Sequence, residues 1–348
     1  MSRIAVVLFN LGGPDGPKAV EPFLYNLFND PAIIAAPGLI RRWLAGRISR
    51  KRAPLAREIY AHLGGASPLL ANTEVQAAAL QYELAGVGDV RVFIAMRYWH
   101  PMSDDTAAEV KAFAPDMVVL LPLYPQYSTT TTGSSLADWR RASAKAGLDA
   151  STRALCCYPT EAGFIAAAAA RTATGIQEAK RQVGDGPVRV LFSAHGLPER
   201  VINRGDPYAE QIGRTARAIA DALDLDDALW RVCFQSRVGP LKWIGPYTDT
   251  EIAAAAREGV STVVVPVAFV SEHSETLVEL DIEYRKLAVD NGMPAYVRVP
   301  TVDADPAFIG GLGNLVRQAL DGKQAIRSQI GGRLCPADRT CCAHATGG

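Results

Sequence analysis

The chain has 348 residues, nearly half of them apolar, which is too long for one ordinary core and suits two domains of about 150–170 residues each. Lysine plus arginine equals aspartate plus glutamate at 36 each, so no global charge points to nucleic acid, and an anionic ligand has to be met by local patches. No stretch reaches the roughly 18–20 apolar residues a membrane span needs, and the N-terminus shows no signal-peptide pattern, so the cytoplasm is the expected location.

Residues 4–9 are an apolar run that predicts a first strand. The Gly12-Gly13 pair behind it lacks the Gly-x-Gly-x-x-Gly pattern, and no Walker A loop occurs anywhere, so no nucleotide cofactor is expected. Residues 22–54 differ from the rest. Phe23, Leu24, Leu27, Phe28, Ile33, Ile34, Leu39, Ile40, Trp43, Leu44 and Ile48 are interleaved with Arg41, Arg42, Arg47, Arg50, Lys51 and Arg52. A surface helix with a buried stripe accounts for this pattern. So does an apolar lip with a basic rim, facing a flat apolar ligand with acidic tails or a membrane surface.

Beyond the lip, helical patterns over 73–84 and 105–113 alternate with strand patterns over 90–95 and 117–121. The second half repeats the layout, with strands over 188–192 and 262–267 and helices over 208–223 and 249–258. The alternation predicts an α/β fold of parallel sheets flanked by helices. Three strands feed polar loops, at 126–133, 193–198 and 271–275. Ligands in open α/β sheets sit at the carboxyl ends of strands, so these loops are candidate site walls. The expected division is 1–155 with the lip, 156–325, and a cysteine-bearing tail at 326–348.

Two segments can do chemistry. His195 stands at the carboxyl end of a strand beside Gly196 and Pro198, and its unperturbed pKa of about 6.5 suits proton transfer near neutrality. A hydrogen-bonded loop histidine is the plainer account. In the second segment, Glu275, Glu279 and Glu283 fall at i, i+4 and i+8, on one face if the run from Thr276 is helical. Three like charges repel, so protons, metal ions or arginines should compensate. A solvated acidic face is the plainer account here too. A carboxylate line could instead carry cations inward or protons outward, and oxygen and imidazole ligands suit a divalent metal held weakly enough to be released. No His-Glu-x-x-His run of a hydrolytic zinc site is present.

An ordered set of motifs now bears on the family. They are Asn10-Leu11-Gly12-Gly13-Pro14, Gly64-Gly65-Ala66-Ser67-Pro68, Met96-Arg97-Tyr98-Trp99-His100-Pro101, Tyr124-Pro125-Gln126-Tyr127-Ser128, Ser193-Ala194-His195-Gly196-Leu197-Pro198, Gln235-Ser236-Arg237-Val238-Gly239-Pro240 and Phe269-Val270-Ser271-Glu272-His273-Ser274-Glu275-Thr276-Leu277. Together they resemble the ferrochelatases over roughly residues 4–320. The resemblance implies two similar Rossmann-like halves with a porphyrin cleft between them, ferrous iron and a porphyrin as substrates, and protohaem with two released protons as products. His195 and Glu275 would be the catalytic pair and would meet the substrate iron. Glu272 and His273 would support them, and Glu279 and Glu283 would continue the acidic line. Arg52, Arg97, Tyr98, Tyr124, Ser128, Trp243 and Phe269 would bind the porphyrin. The Asn10–Pro14 motif leans to protoporphyrin IX. A coproporphyrin user, a chelatase for another metal such as cobalt, and a non-catalytic porphyrin or haem carrier are the alternatives.

Six cysteines are present, five of them in two groups: Cys156 and Cys157, and Cys335, Cys341 and Cys342. Some ferrochelatases hold a [2Fe–2S] cluster with three C-terminal cysteines and one internal one. In animal members the internal ligand lies in the loop matching 127–129, where this chain has Thr129. The resemblance therefore implies a cluster on Cys335, Cys341 and Cys342 with Cys156 or Cys157 as the fourth ligand. Free tail thiols or an adventitious zinc site are the alternatives. Cys233, in a strand-like context, reads as a small core residue. Peripheral contact with the inner membrane, and a monomer as against a homodimer, stay open.

Overall fold

The computed structural model describes residues 2–344; Met1 and residues 345–348, the end of the expected tail, lie outside the described residues. The chain forms two compact units. Among the described residues, one runs from Ser2 to Cys157 and takes back Leu312–Leu334 with Ala343 and His344; the other comprises Tyr158–Gly311 and Cys335–Cys342.

The first unit begins with β1 (Arg3–Asn10), α1 (Val20–Phe28), α2 (Gly38–Ala61) and α3 (Leu69–Glu83). It continues with β2 (Asp89–Met96), α4 (Ser103–Phe113), β3 (Met117–Pro122), α5 (Thr132–Ala146) and β4 (Ser151–Cys157). Every residue of β1 from Ile4 to Asn10 is buried, which is why its apolar run is continuous and not alternating. All strand pairs are parallel, in the order β2-β1-β3-β4-β9, with β9 (Ile326–Ser328) returning late in the chain. The core on one side of β1 joins Val7, Phe9, Phe93, Phe113, Leu120 and Trp139. Each such side chain contributes about 1.5–3 kcal/mol by leaving water.

The second unit contains α6 (Ala162–Val183), β5 (Val188–His195), α7 (Glu199–Ile202), α8 (Tyr208–Ala222), β6 (Trp230–Gln235), α9 (Thr248–Arg257) and β7 (Ser261–Pro266). A π-helix over Glu275–Glu283 follows, then α10 (Tyr284–Asp290) and β8 (Tyr296–Arg298). α11 (Pro306–Asp321) leads to β9 (Ile326–Ser328). The second sheet is also wholly parallel, in the order β6-β5-β7-β8. The two parallel sheets flanked by helices are the expected α/β fold.

The 22–54 segment spans α1 and most of α2. Phe23 and Leu24 are buried against Tyr60 and Tyr98, while Leu39, Ile40 and Trp43 are 80%, 53% and 62% exposed. The segment is thus mixed: α1 is tucked in, and the start of α2 is an exposed apolar stretch. Arg47 lies 5.8 Å from the Trp43 ring centre and Arg52 5.9 Å from that of Phe28. Among the described residues no helix is long and apolar enough to cross a membrane.

Candidate active site

His195 is the last residue of β5, where a parallel strand presents its end to a ligand. A Cβ on Gly196 would lie 3.0 Å from the Gln235 carbonyl oxygen and 3.3 Å from the Trp243 ring, so the absence of a side chain lets the loop turn against both. The Tyr208 hydroxyl donates to the His195 carbonyl at 3.0 Å, and the Trp243 ring meets the imidazole edge-on at 6.2 Å. The first contact holds the His195 backbone and the second lies beside its ring.

The imidazole Nδ1 is 3.0 Å from Glu275 Oε2. His273 Nε2 approaches the same oxygen at 3.6 Å and packs against Phe269 with ring centres 4.5 Å apart. Glu275 opens the π-helix, and Glu279 lies one turn on. The run from Thr276 is helical, in a wider π form, an uncommon element found frequently at functional sites. Glu279 accepts from the Ser236 N–H at 2.8 Å, from the Ser236 hydroxyl, from Gln235 Nε2 at 3.2 Å and from the Tyr284 hydroxyl at 2.9 Å. Gln235 also accepts from Ser193 Oγ at 2.7 Å and donates to the Glu275 carbonyl at 3.3 Å. Ser236 adopts φ of 65°, a left-handed conformation uncommon outside glycine, and in it both its N–H and its hydroxyl reach Glu279.

Charge sorts these groups. Burial alone would lower the His195 pKa, but the Glu275 charge and hydrogen bond, helped by Glu279, outweigh it and raise it. Burial alone would raise Glu275, yet His195 and His273 together carry it well below the usual carboxylate range. Glu279 is pushed up by burial and then by the Glu275 charge, against the hydrogen bonds from Ser236 and Tyr284. Neighbouring carboxylates thus titrate in opposite directions.

Other expected residues fall elsewhere. Glu272 turns to Arg298 and Thr301, and Glu283 ends the π-helix exposed to solvent. In the first unit, Asp30, 3% exposed, accepts from Arg97 at 2.9 Å, from the Tyr98 hydroxyl at 2.7 Å and from Ser134. Tyr98 is itself buried there, and its pKa is raised by burial and by Asp30. Ser128 is buried with its hydroxyl 2.9 Å from that of Thr130. Tyr124 is half-buried, its pKa raised by burial. Burial lowers the pKa of Arg52.

Cys156 and Cys157 are adjacent in β4, where side chains ordinarily alternate, but a register irregularity between Leu155 and Cys157 leaves their sulfurs 3.6 Å apart. In the second unit, Gln211 donates to Cys335 Sγ at 3.1 Å, and the Cys341 thiol donates to the Arg204 carbonyl at 3.2 Å. Cys335 and Cys342 are buried and Cys341 is half-buried. Among the described residues no three His, Cys, Asp or Glu side chains are gathered to hold a metal ion. Cys233 is fully buried in β6, its thiol pushed up to about 12 chiefly by burial.

A family model described as Ferrochelatase matches residues 3–320. The chain belongs to the ferrochelatase family. It is 53% identical over 345 residues to the ferrochelatase of Caulobacter vibrioides strain NA1000, covering 98% of this chain and 97% of that one. It is 52% identical over 349 residues to the ferrochelatase of Phenylobacterium zucineum, covering 99% of each. Two solved structures of SirB share the fold, at 10% and 13% identity. One, the sirohydrochlorin chelatase of Bacillus subtilis subspecies spizizenii in complex with cobalt, has a TM-score of 0.52. The other, SirB from Bacillus subtilis with Fe3+, has a TM-score of 0.50; each alignment covers 92% of this chain and 96% of the other. His195, Glu275 and their partners lie inside the ferrochelatase match, whereas Cys335, Cys341 and Cys342 lie beyond it.

Reading of the sequence missed Asp30, Tyr208, Tyr284 and Arg298, and gave Gln235 and Ser236 no role. The last two stood in a quoted motif and could have been found there. Tyr208 likewise closes the family-like run Asn203-Arg204-Gly205-Asp206-Pro207-Tyr208, whereas Asp30, Tyr284 and Arg298 declare themselves only through their partners in space.

Proposed function

We propose that this protein is a lyase that inserts ferrous iron into protoporphyrin IX and releases two protons, giving protohaem in haem biosynthesis. The observation that carries the reading is the His195–Glu275 pair, 3.0 Å apart at the end of β5 with Glu279 behind it. Two pyrrole N–H bonds break as the four ring nitrogens bind the substrate iron, so two protons need acceptors. His195 in its neutral form takes a pyrrole proton, and its raised pKa makes it the stronger base. Glu275, held low, stays a carboxylate and suits the incoming ferrous ion. Glu279, held up, suits proton uptake nearer neutrality.

Trp243 and Phe269, beside the two histidines, would engage the porphyrin ring. Anaerobic incubation with ferrous iron and protoporphyrin, followed by loss of porphyrin fluorescence, tests the reading. The wild type should turn over, and His195→Ala should lose about 100- to 10,000-fold in kcat. Stoichiometric quenching alone in both proteins would favour a carrier, and turnover only with coproporphyrin would move the substrate assignment.

Cys335, Cys341 and Cys342, with Cys156 or Cys157 as the fourth ligand, would hold a [2Fe–2S] cluster of structural or regulatory role. Their chemistry supports this: none of the five is in a disulfide, four are buried, and a Gln211 N–H already points at the Cys335 sulfur as it would at a thiolate. Protein isolated anaerobically should contain two iron and two acid-labile sulfide per chain, and lose both in Cys335→Ser; a sulfide-free preparation rules the cluster out. A cytoplasmic location with peripheral membrane contact through the start of α2 completes the reading. Sedimentation separates monomer from homodimer.

A further inference from the structure

The acidic segment that carries the site does not hold its own shape. A π-helix is uncommon, and Glu275 and Glu279 stand one turn apart in it, so repulsion between them opposes the conformation. Restraint from outside is needed, and β8 with the loop after it supplies it. The Tyr296 hydroxyl donates to the Leu280 carbonyl at 2.6 Å, and Arg285 returns from α10 to the Tyr296 carbonyl at 3.0 Å. Asp303 N–H reaches the Val270 carbonyl at 2.9 Å, just before the segment.

Arg298, the last residue of β8, stands at the centre. One guanidinium nitrogen donates to Glu272 Oε1 at 2.5 Å and the other to Asp281 Oδ2 at 3.2 Å. Glu272 directly precedes His273, and Asp281 lies within the π-helix. A single rigid fork thus grips the chain three residues before Glu275 and two residues after Glu279. The same Glu272 oxygen accepts the Thr301 N–H at 3.0 Å, and Arg285 shares Asp281 at 2.6 Å. The Arg298 side chain is 10% exposed, so these bonds are little weakened by water.

We propose that Arg298 is a positioning residue for metal insertion: by bridging Glu272 and Asp281 it fixes both ends of the segment that sets Glu275 against His195 and Glu279 against Ser236. It touches neither the proposed ring nor the iron, and it acts through the carboxylates it aligns. Lysine cannot replace it, because one ammonium group cannot present a planar fork to two carboxylates. The proposal rests on the ferrochelatase reading.

The experiment compares wild type, Arg298→Lys, Glu272→Gln, Asp281→Asn and the Glu272→Gln/Asp281→Asn double variant, each with its folded fraction measured by near-UV circular dichroism. Wild-type turnover comes first; its absence sinks the parent reading and leaves nothing for Arg298 to position. Given turnover, kcat per folded Arg298→Lys molecule should fall ~10- to 100-fold, as for a small displacement of reacting groups, while KM for porphyrin stays within about twofold. The two single variants, milder in their effect on folding, should each lower kcat, and the double variant should fall short of the product of their effects, because both act through one guanidinium. A purely structural Arg298 would reduce only the folded fraction. Unchanged kcat per folded molecule, or strictly multiplicative single effects, overturns the proposal.

Discussion

His195 and Glu275 set each other's charge, and the sign of that coupling can be read in stability as well as in turnover. The imidazole pKa is raised in the folded protein, so its contribution to stability is full below the unfolded value of about 6.5 and is lost as pH rises through the raised one. The Glu275 carboxyl is lowered, so its contribution is full above the unfolded value of about 4.3 and is lost as pH falls toward the depressed one. Both terms are therefore complete only between about pH 4.3 and 6.5. Glu275→Gln should destabilise by about 1–3 kcal/mol in that window, the scale of a charge-assisted hydrogen bond. The difference should shrink on the alkaline side as His195 loses its proton in both proteins. Thermal unfolding of the two proteins from pH 4 to 9 measures this; a difference that grows steadily with pH would show that the pair is not an ion pair.

At the level of elements, what could be read in advance follows burial. β1, β3, β5 and β7 occupy the interior of the two sheets, and their buried apolar runs announce them. β2, β6, β8 and β9 are edge strands; β2 was still legible because its second half, Phe93–Met96, is mostly buried, whereas β6 is partly exposed and the other two are three residues long. β4 opens with exposed Ser151 and Thr152 for a related reason, since only its second half is covered. The four-residue recurrence of the acidic carboxylates was legible, with a shared face following only if the run was helical, as it is. Its π form was not, because that depends on Arg298 and Tyr296, which lie after the segment in sequence and beside it only in space. The site divides in the same way. His195 and Glu275 stand at the ends of elements and Glu279 follows at a regular spacing, whereas Asp30 and Arg298 gain meaning from partners tens of residues away.

Across the whole molecule, acidic and basic residues balance, and the formal net charge is zero. A neutral protein has no long-range attraction to an anionic surface, so any such attraction has to come from a local patch. The start of α2 would be that patch: Leu39, Ile40 and Trp43 are exposed on it, and Arg42, Arg47, Arg50 and Lys51, exposed too, share the helix. Apolar insertion and charge attraction both favour a membrane surface there, at about 1 kcal/mol for each basic residue near anionic lipid. The protein should therefore cosediment with phosphatidylserine-containing vesicles at low salt and much less with neutral phosphatidylcholine vesicles. Binding should weaken between about 20 and 300 mM salt as screening shortens the reach of the arginines. Trp43→Ser and Leu39→Ser should weaken it at every salt concentration, because the apolar contribution is not screened. The size of the residual binding at high salt then measures the apolar share directly. Equal binding to neutral and anionic vesicles would remove the arginines from the argument, and no binding to either at low salt would leave α2 without a membrane role.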